Sequence, residues 1–186
     1  TDKNYTLYIY REKITPEVMV YLEANQISVK PYLEVEQDLK RQAKRRLVIS
    51  SSLNGQLKSA IKNPITLSPS PVSLMKCIKN ETEQNGFRRA MERDGVAMVK
   101  FLKWLKPAVE AGGQTELSID KKLYEYRAEQ AHFKGVSFDT IAGYGAHGAI
   151  VHYEATPETD VQLESRGLLL LDSGAQYLDG TTDLTR

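Results

Sequence analysis

The nineteen residues from Leu168 to Arg186, LLLLDSGAQYLDGTTDLTR, constrain this chain more than any other stretch. Leu168–Leu171 is an unbroken apolar run, which suits a strand buried on both faces. Asp179-Gly180 is a strong hairpin cue, and Thr181, Thr182, Leu184 and Thr185 suit a return strand. Asp172 and Asp183 therefore fall on the two arms of one β-hairpin. Directly opposed residues in an antiparallel pair share a face, so register decides whether the carboxylates meet. A strict Asp179-Gly180 turn pairs Leu178 with Thr181 and leaves the aspartates apart. Placing Asp172 opposite Asp183 needs a loop of about four residues over Gln176–Asp179, or a bulge at Gly180. Opposed carboxylates repel, by roughly 0.2–1 kcal/mol on an exposed sheet and more when buried. A buried pair then demands a cation, a shared proton or an arginine such as Arg186. Two hard oxygen donors on adjacent strands are the opening half of a divalent-metal site.

Charge argues against several function classes. The 25 Lys and Arg against 24 Asp and Glu leave a net charge of +1, which makes no global case for nucleic acid or membrane. The chain carries no signal-like segment and no apolar run of membrane-spanning length. The single cysteine, Cys77, excludes an internal disulfide framework and suits a reducing compartment. Among Leu74, Met75 and Ile78 it is expected to be a small buried hydrophobe.

Along the chain, residues up to about 72 read as alternating strand and helix. Tyr5–Tyr10 is a strand, and Thr15-Pro16-Glu17 opens a helix reaching about Asn25. Ile27–Tyr32 is a short strand, Glu34–Arg46 a charged helix, Arg46–Ser50 a strand and Leu53–Lys62 a short helix. The order predicts a small α/β layer. Ile65–Val72, with its prolines, reads as a linker. Beyond it Asn80 and Glu83 form a capping box. Phe87, Met91, Asp94, Met98, Phe101 and Leu105 then recur at helical spacing, a core stripe ending near Pro107 or Gly112. Thr115 or Ser118 caps a second helix to about Gln130, and Ser137–Tyr153 is strand and glycine-rich loop.

Other candidates carry less. The loop GYGAHG (Gly143–Gly148) lacks the context of a phosphate loop, and its glycines suit close backbone approach. His147 and His152 are expected to flank an apolar strand and point to opposite faces. Read alone, His152 is a hydrogen-bonded core histidine, and His132 is structural at a helix end. Phe138, read alone, is a buried strand residue. The basic run Lys40–Arg46 follows Glu34, Glu36 and Asp38, so it reads as a solvated helix end.

Four strings together, GAIVHY, Pro157-Glu158-Thr159, LLLDSGAQY and DGTTDLTR, resemble the aminopeptidase P (Xaa-Pro aminopeptidase) family, in its long cytosolic three-domain form. The similarity covers the C-terminal hundred residues well and continues more weakly upstream. It implies an α/β (α+β) chain. Residues 1–72 would be a middle, non-catalytic α/β domain, and 73–186 the first half of a pita-bread metallopeptidase domain. By the same resemblance Asp172 binds one of two divalent ions, usually manganese, and Asp183 bridges both. A histidine and two glutamates are expected beyond Arg186, so this piece alone is expected to be inactive. His152 is implied to lie in the substrate pocket and to hydrogen-bond the substrate. Phe138 falls where the family commonly has an aromatic pocket residue, with ordinary strand burial the equal alternative. Peptides with proline in second position are the implied substrates, in a cytoplasmic homodimer. Carboxylate-rich cages suit hard ions such as manganese or magnesium, and a pair of ions can activate water and polarise a carbonyl. The rival readings are a proline-directed dipeptidase of the same fold and a non-catalytic pita-bread binding module. The latter generally lacks the metal carboxylates that this chain keeps.

Overall fold

The computed structural model describes residues 5–186, which divide into two compact units, one ending at Ile78 and one running from Lys79 to Arg186. In the first unit β1 (Tyr5–Ile9) leads through a short 3-10 turn to α1 (Pro16–Ala24), whose N-terminus Thr15 caps by accepting from Val18 N. Then β2 (Ile27–Pro31) pairs parallel to β1, with Tyr5 beside Ile27. The charged helix α2 spans only Val35–Arg41, because residues beyond it turn instead of continuing. Next come β3 (Val48–Ser50), α3 (Gly55–Ser59) and β4 (Ile65–Leu67), and β3 pairs parallel to β4. The expected linker over Ile65–Val72 is thus corrected: its first three residues complete a strand pair, and Ser70 caps α4 (Pro71–Cys77). The prolines follow the strand, so none removes a ladder donor.

Cys77 is exposed, contrary to expectation. Its helix α4 buries none of its residues, and Met75 and Ile78 are 74% and 82% exposed. Apolar neighbours in sequence do not bury a thiol when the whole helix stands clear.

Asp38 ties the first unit together. It accepts from Lys30 Nζ at 2.5 Å, Tyr8 Oη at 2.8 Å and Arg41 Nη1 at 2.8 Å. The Lys30 ammonium, then the Tyr8 hydroxyl and Arg41, hold its carboxyl down at about 2 against an ordinary 3.8. A carboxyl depressed by folding contributes stability above its ordinary value and loses it as the pH falls toward the folded value. The helical signal of this unit should therefore fade between about pH 4 and pH 2, and Asp38→Asn should flatten that limb in an acid titration followed by circular dichroism. An unchanged limb in the variant would contradict the assignment.

The second unit opens on α5 (Glu81–Ala111), with the Asn80–Glu83 capping box present and Pro107 inside the helix. Gly112 ends it. The predicted stripe is only half right: Met98 and Phe101 are buried, but Phe87 and Met91 are 37% and 42% exposed. The face buried in the first turns is instead made of small residues, Gly86 and Ala90. A Cβ on Gly86 would stand 2.1 Å from the Asp179 carbonyl, so the hairpin tip lies directly on that part of the helix. Thr115 caps α6 (Glu116–Ala128), with Ser118 completing a second capping box.

The strands β5 (Phe133–Val136), β6 (Ile141–Tyr144), β7 (Leu169–Ser173), β8 (Ala175–Tyr177), β9 (Gly180–Thr181) and β10 (Leu184–Thr185) form two three-stranded sheets, ordered β10-β7-β6 and β5-β8-β9. Met98, Phe101, Ile119, Leu123, Ala142, Leu163 and Leu171 make the main core of α5, α6 and the first sheet. Among the described residues no helix is long and apolar enough to cross a membrane.

Candidate metal centre

The C-terminal ribbon is one hairpin shared between the two sheets. Tyr177 pairs with Gly180 and Gln176 with Thr181, so the turn has two residues, Leu178 and Asp179. Past Gly174 the same offset continues: Ser173 pairs with Leu184, Asp172 with Thr185, and Leu171 exchanges both backbone bonds with Arg186. Neither register considered from sequence is the observed one. Asp172 faces Thr185, and Asp183 faces Gly174.

The expectation of directly opposed carboxylates is corrected to a diagonal one. Asp183 lies two residues from Thr185, so it shares a face with Asp172, about 7–8 Å away by ordinary sheet geometry. Burial alternates accordingly: Leu171, Ser173, Ala175, Tyr177 and Thr182 point inward, while Gln176, Thr181, Asp183 and Thr185 are exposed. The tight turn wins because Asp179 is held from below. Burial works against its charge, but the Arg93 and Arg89 guanidiniums keep its carboxyl under the usual range.

Asp172 sits on the central strand of its sheet, between Ile141 of β6 and Thr185 of β10. Its Oδ1 is buried and has no hydrogen-bond partner. A buried carboxylate oxygen without a donor is costly, and a cation is one of the few groups that satisfies it. Arg186 does not serve, since its guanidinium donates to the Thr185 carbonyl. The pair therefore fits a hard divalent ion. Among the described residues no group of three or more histidine, cysteine or acidic side chains is placed to hold one.

Beneath the ribbon lies a polar cluster that sequence reading passed over. Arg127 Nε and Nη2 donate to the two Asp94 oxygens at 2.8 and 3.0 Å, and both side chains are 1% exposed. Tyr177 Oη donates to Asp94 at 3.0 Å, and Arg127 Nη1 reaches the Gly174 carbonyl at 3.4 Å. Burial, with Asp94 beside it, pushes the Tyr177 hydroxyl well above its ordinary value, so it stays a donor. The available signal was Asp94, the one charge in an otherwise apolar stripe.

The stretch between His147 and His152 is not the strand expected, although Gly143 and Tyr144 before it end β6. After β6 the chain winds into a 3-10 helix, Gly145–Ala149, followed by a turn at Val151 and His152. A Cβ on Gly143 would meet the His147 carbonyl carbon at 2.9 Å, so close approach is what that glycine permits. His147 and His152 consequently do not flank a strand. His147 Nδ1 lies 3.0 Å from Glu116 Oε1, and its ring stacks on Tyr153. His152 is exposed, with φ +55°, which rules out the core histidine of the unaided reading. Glu116 itself is fully buried and had no clear signal in sequence. Phe138 is half-buried in the bend between β5 and β6. His132 occupies a left-handed turn after α6, and its carbonyl accepts from Leu178 N.

Residues 85–186 match the model of metallopeptidase family M24. The chain belongs to that family. Residues 1–83 match the creatinase/prolidase N-terminal domain. This M24 chain is 37% identical over 201 residues to a probable Xaa-Pro aminopeptidase P of Podospora anserina, covering all of the chain and 30% of that protein. It is 31% identical to aminopeptidase P1 of Arabidopsis thaliana, covering 97% of the chain and 36% of the relative. The M24 chain thus spans about a third of the length of these curated relatives. Among solved structures, X-prolyl aminopeptidase from Caenorhabditis elegans, described as a cytosolic enzyme with a di-nuclear active site, superposes with a TM-score of 0.86. Identity is 30%, over 97% of this chain and 31% of that one. Prolidase from Pyrococcus furiosus shares the fold at a TM-score of 0.69 and 20% identity, covering 90% of this chain and 53% of that one. The architecture is the pita-bread fold of M24 peptidases.

Proposed function

We propose that this chain supplies part of the metal site and one wall of the substrate pocket of an aminopeptidase that releases the first residue from peptides whose second residue is proline. The observation that carries the reading is the orphaned Oδ1 of Asp172, on the same face as Asp183, in a chain of the M24 family. Asp172 and Asp183 would hold divalent ions, manganese by preference, and would need further ligands that this chain does not supply. When bound, the ions polarise the scissile carbonyl and acidify water. His152, exposed on the turn after the 3-10 helix, hydrogen-bonds the peptide and fixes its orientation. A proline in second position has no N–H and a restricted φ, so a site that accepts it is shaped around that ring and not around an amide donor. The complete protein works as a cytoplasmic homodimer.

The test uses the full-length protein loaded with manganese and offered Arg-Pro-Pro, Arg-Ala-Ala and an Xaa-Pro dipeptide. Release of arginine from Arg-Pro-Pro alone, abolished by chelator and absent with the isolated 186-residue chain, is the expected outcome. Preference for the dipeptide would favour a dipeptidase. No turnover of any peptide would favour a binding module, and turnover by the isolated chain would contradict the partial ligand set.

A further inference from the structure

His152 stands in a backbone state that its side chain disfavours. It is the third residue of the turn Ile150–Tyr153, closed by Tyr153 N donating to the Ile150 carbonyl at 3.3 Å, and its φ is +55°. That position with positive φ is the place of glycine or asparagine. A histidine stays there only when its surroundings over-determine the backbone, and such positions cluster at functional sites.

The surroundings converge on one buried carboxylate. Glu116, the first residue of α6, is fully buried. Its Oε1 accepts from Tyr144 N at 2.7 Å and its Oε2 from Tyr153 Oη at 2.8 Å, while His147 Nδ1 lies 3.0 and 3.1 Å from the two oxygens. Tyr144 and His147 precede His152, and Tyr153 follows it. The imidazole of His147 and the ring of Tyr153 stack with centroids 4.5 Å apart, which locks the two sides of the turn together. Tyr153 Oη also meets Thr159 Oγ1 at 3.2 Å, so the chain leaving the turn is tied down as well. Burial raises the Tyr153 hydroxyl above its ordinary value, which keeps it protonated and donating.

We propose that Glu116 is a positioning residue for His152, clamping both flanks of its turn so that the imidazole is presented to the peptide without rearrangement. The inference rests on the reading of His152 as a substrate-pocket residue. A purely structural carboxylate would stabilise the fold, but its loss would not depend on whether His152 is present.

The experiment is a double-mutant cycle in the full-length, metal-loaded protein. Glu116→Gln and Tyr153→Phe are each made alone and together with His152→Ala, and kcat and KM are measured on an Xaa-Pro-Pro peptide with metal content checked. Tyr153→Phe keeps the stacked ring and the bonds from Tyr144 and His147, so it carries the cycle if the Glu116 variant fails to fold. Each single change should lower kcat/KM by roughly ten- to a hundredfold. In the His152→Ala background the same change should cost less than about twofold, the sign of groups acting as a unit. Losses that multiply undiminished with that of His152→Ala would overturn the positioning role while leaving the pocket role intact. Full activity in His152→Ala would overturn both.

Discussion

Arg127→Met should destabilise the unit from Lys79 to Arg186 by about 3–5 kcal/mol, because it strands a buried charge. Asp94 and Arg127 meet through two donated bonds in a site closed to water, and each is 1% exposed. With the guanidinium gone, Asp94 keeps only the Tyr177 hydroxyl, and the Gly174 carbonyl loses its side-chain donor. The double change Asp94→Leu with Arg127→Met removes the charge along with its partner and should recover much of the loss. Urea unfolding at neutral pH, read on Trp104, separates the two. A single variant as stable as the parent, or a double variant worse than the single, would mean that the pair is not what holds the helices to the ribbon.

Gly174→Ala is expected to do nearly as much damage for a steric reason. A Cβ there would lie 2.1 Å from the Thr182 carbonyl oxygen and 2.2 Å from Ser137 Oγ. The first of these is backbone and cannot rotate away. Ser137 Oγ already donates to that same carbonyl at 2.9 Å, so the three groups are packed without slack. Opening the ribbon enough to admit a methyl group should cost about 3 kcal/mol, the upper end of ordinary overpacking. Gly174 faces Asp183 across the hairpin, so the displacement falls on the proposed metal ligand. A drop in metal affinity of roughly 10–100-fold, the scale seen when a ligand's support is lost, should accompany the destabilisation. Calorimetric titration of the full-length variant with manganese reads it directly. Unchanged affinity in a destabilised protein would separate the bend from the site.

Local signals were legible where chemistry is local. Thr15, Asn80 and Thr115 each cap the helix that their sequence context announces, because a cap needs only the next three residues. A strand after the apolar run and the two acidic arms of the hairpin were legible too, but the strand's burial on both faces was not. Leu168 is 84% exposed and outside β7, Leu169 and Leu170 are half-buried, and only Leu171 is buried. The register was not legible either, because the hairpin's turn is decided by groups ninety residues away. Arg89 and Arg93 hold Asp179, and Gly86 lets its carbonyl sit on α5, so Leu178-Asp179 forms the turn in place of Asp179-Gly180. The same helix explains the stripe: Phe87 and Met91 had the right spacing, but the hairpin tip selected small neighbours, Gly86 and Ala90. Glu116 was hidden for another reason. A glutamate in a first helical turn is ordinary, and only the folded chain brings Tyr144, His147 and Tyr153 to it.

The most direct measurement is anomalous diffraction at the manganese edge from crystals of the full-length protein. Manganese density within coordination distance of Oδ1 of Asp172 and of the Asp183 carboxylate is the result this account predicts. Density for a well-ordered ribbon with no peak beside either side chain, in crystals grown with saturating manganese, would contradict it.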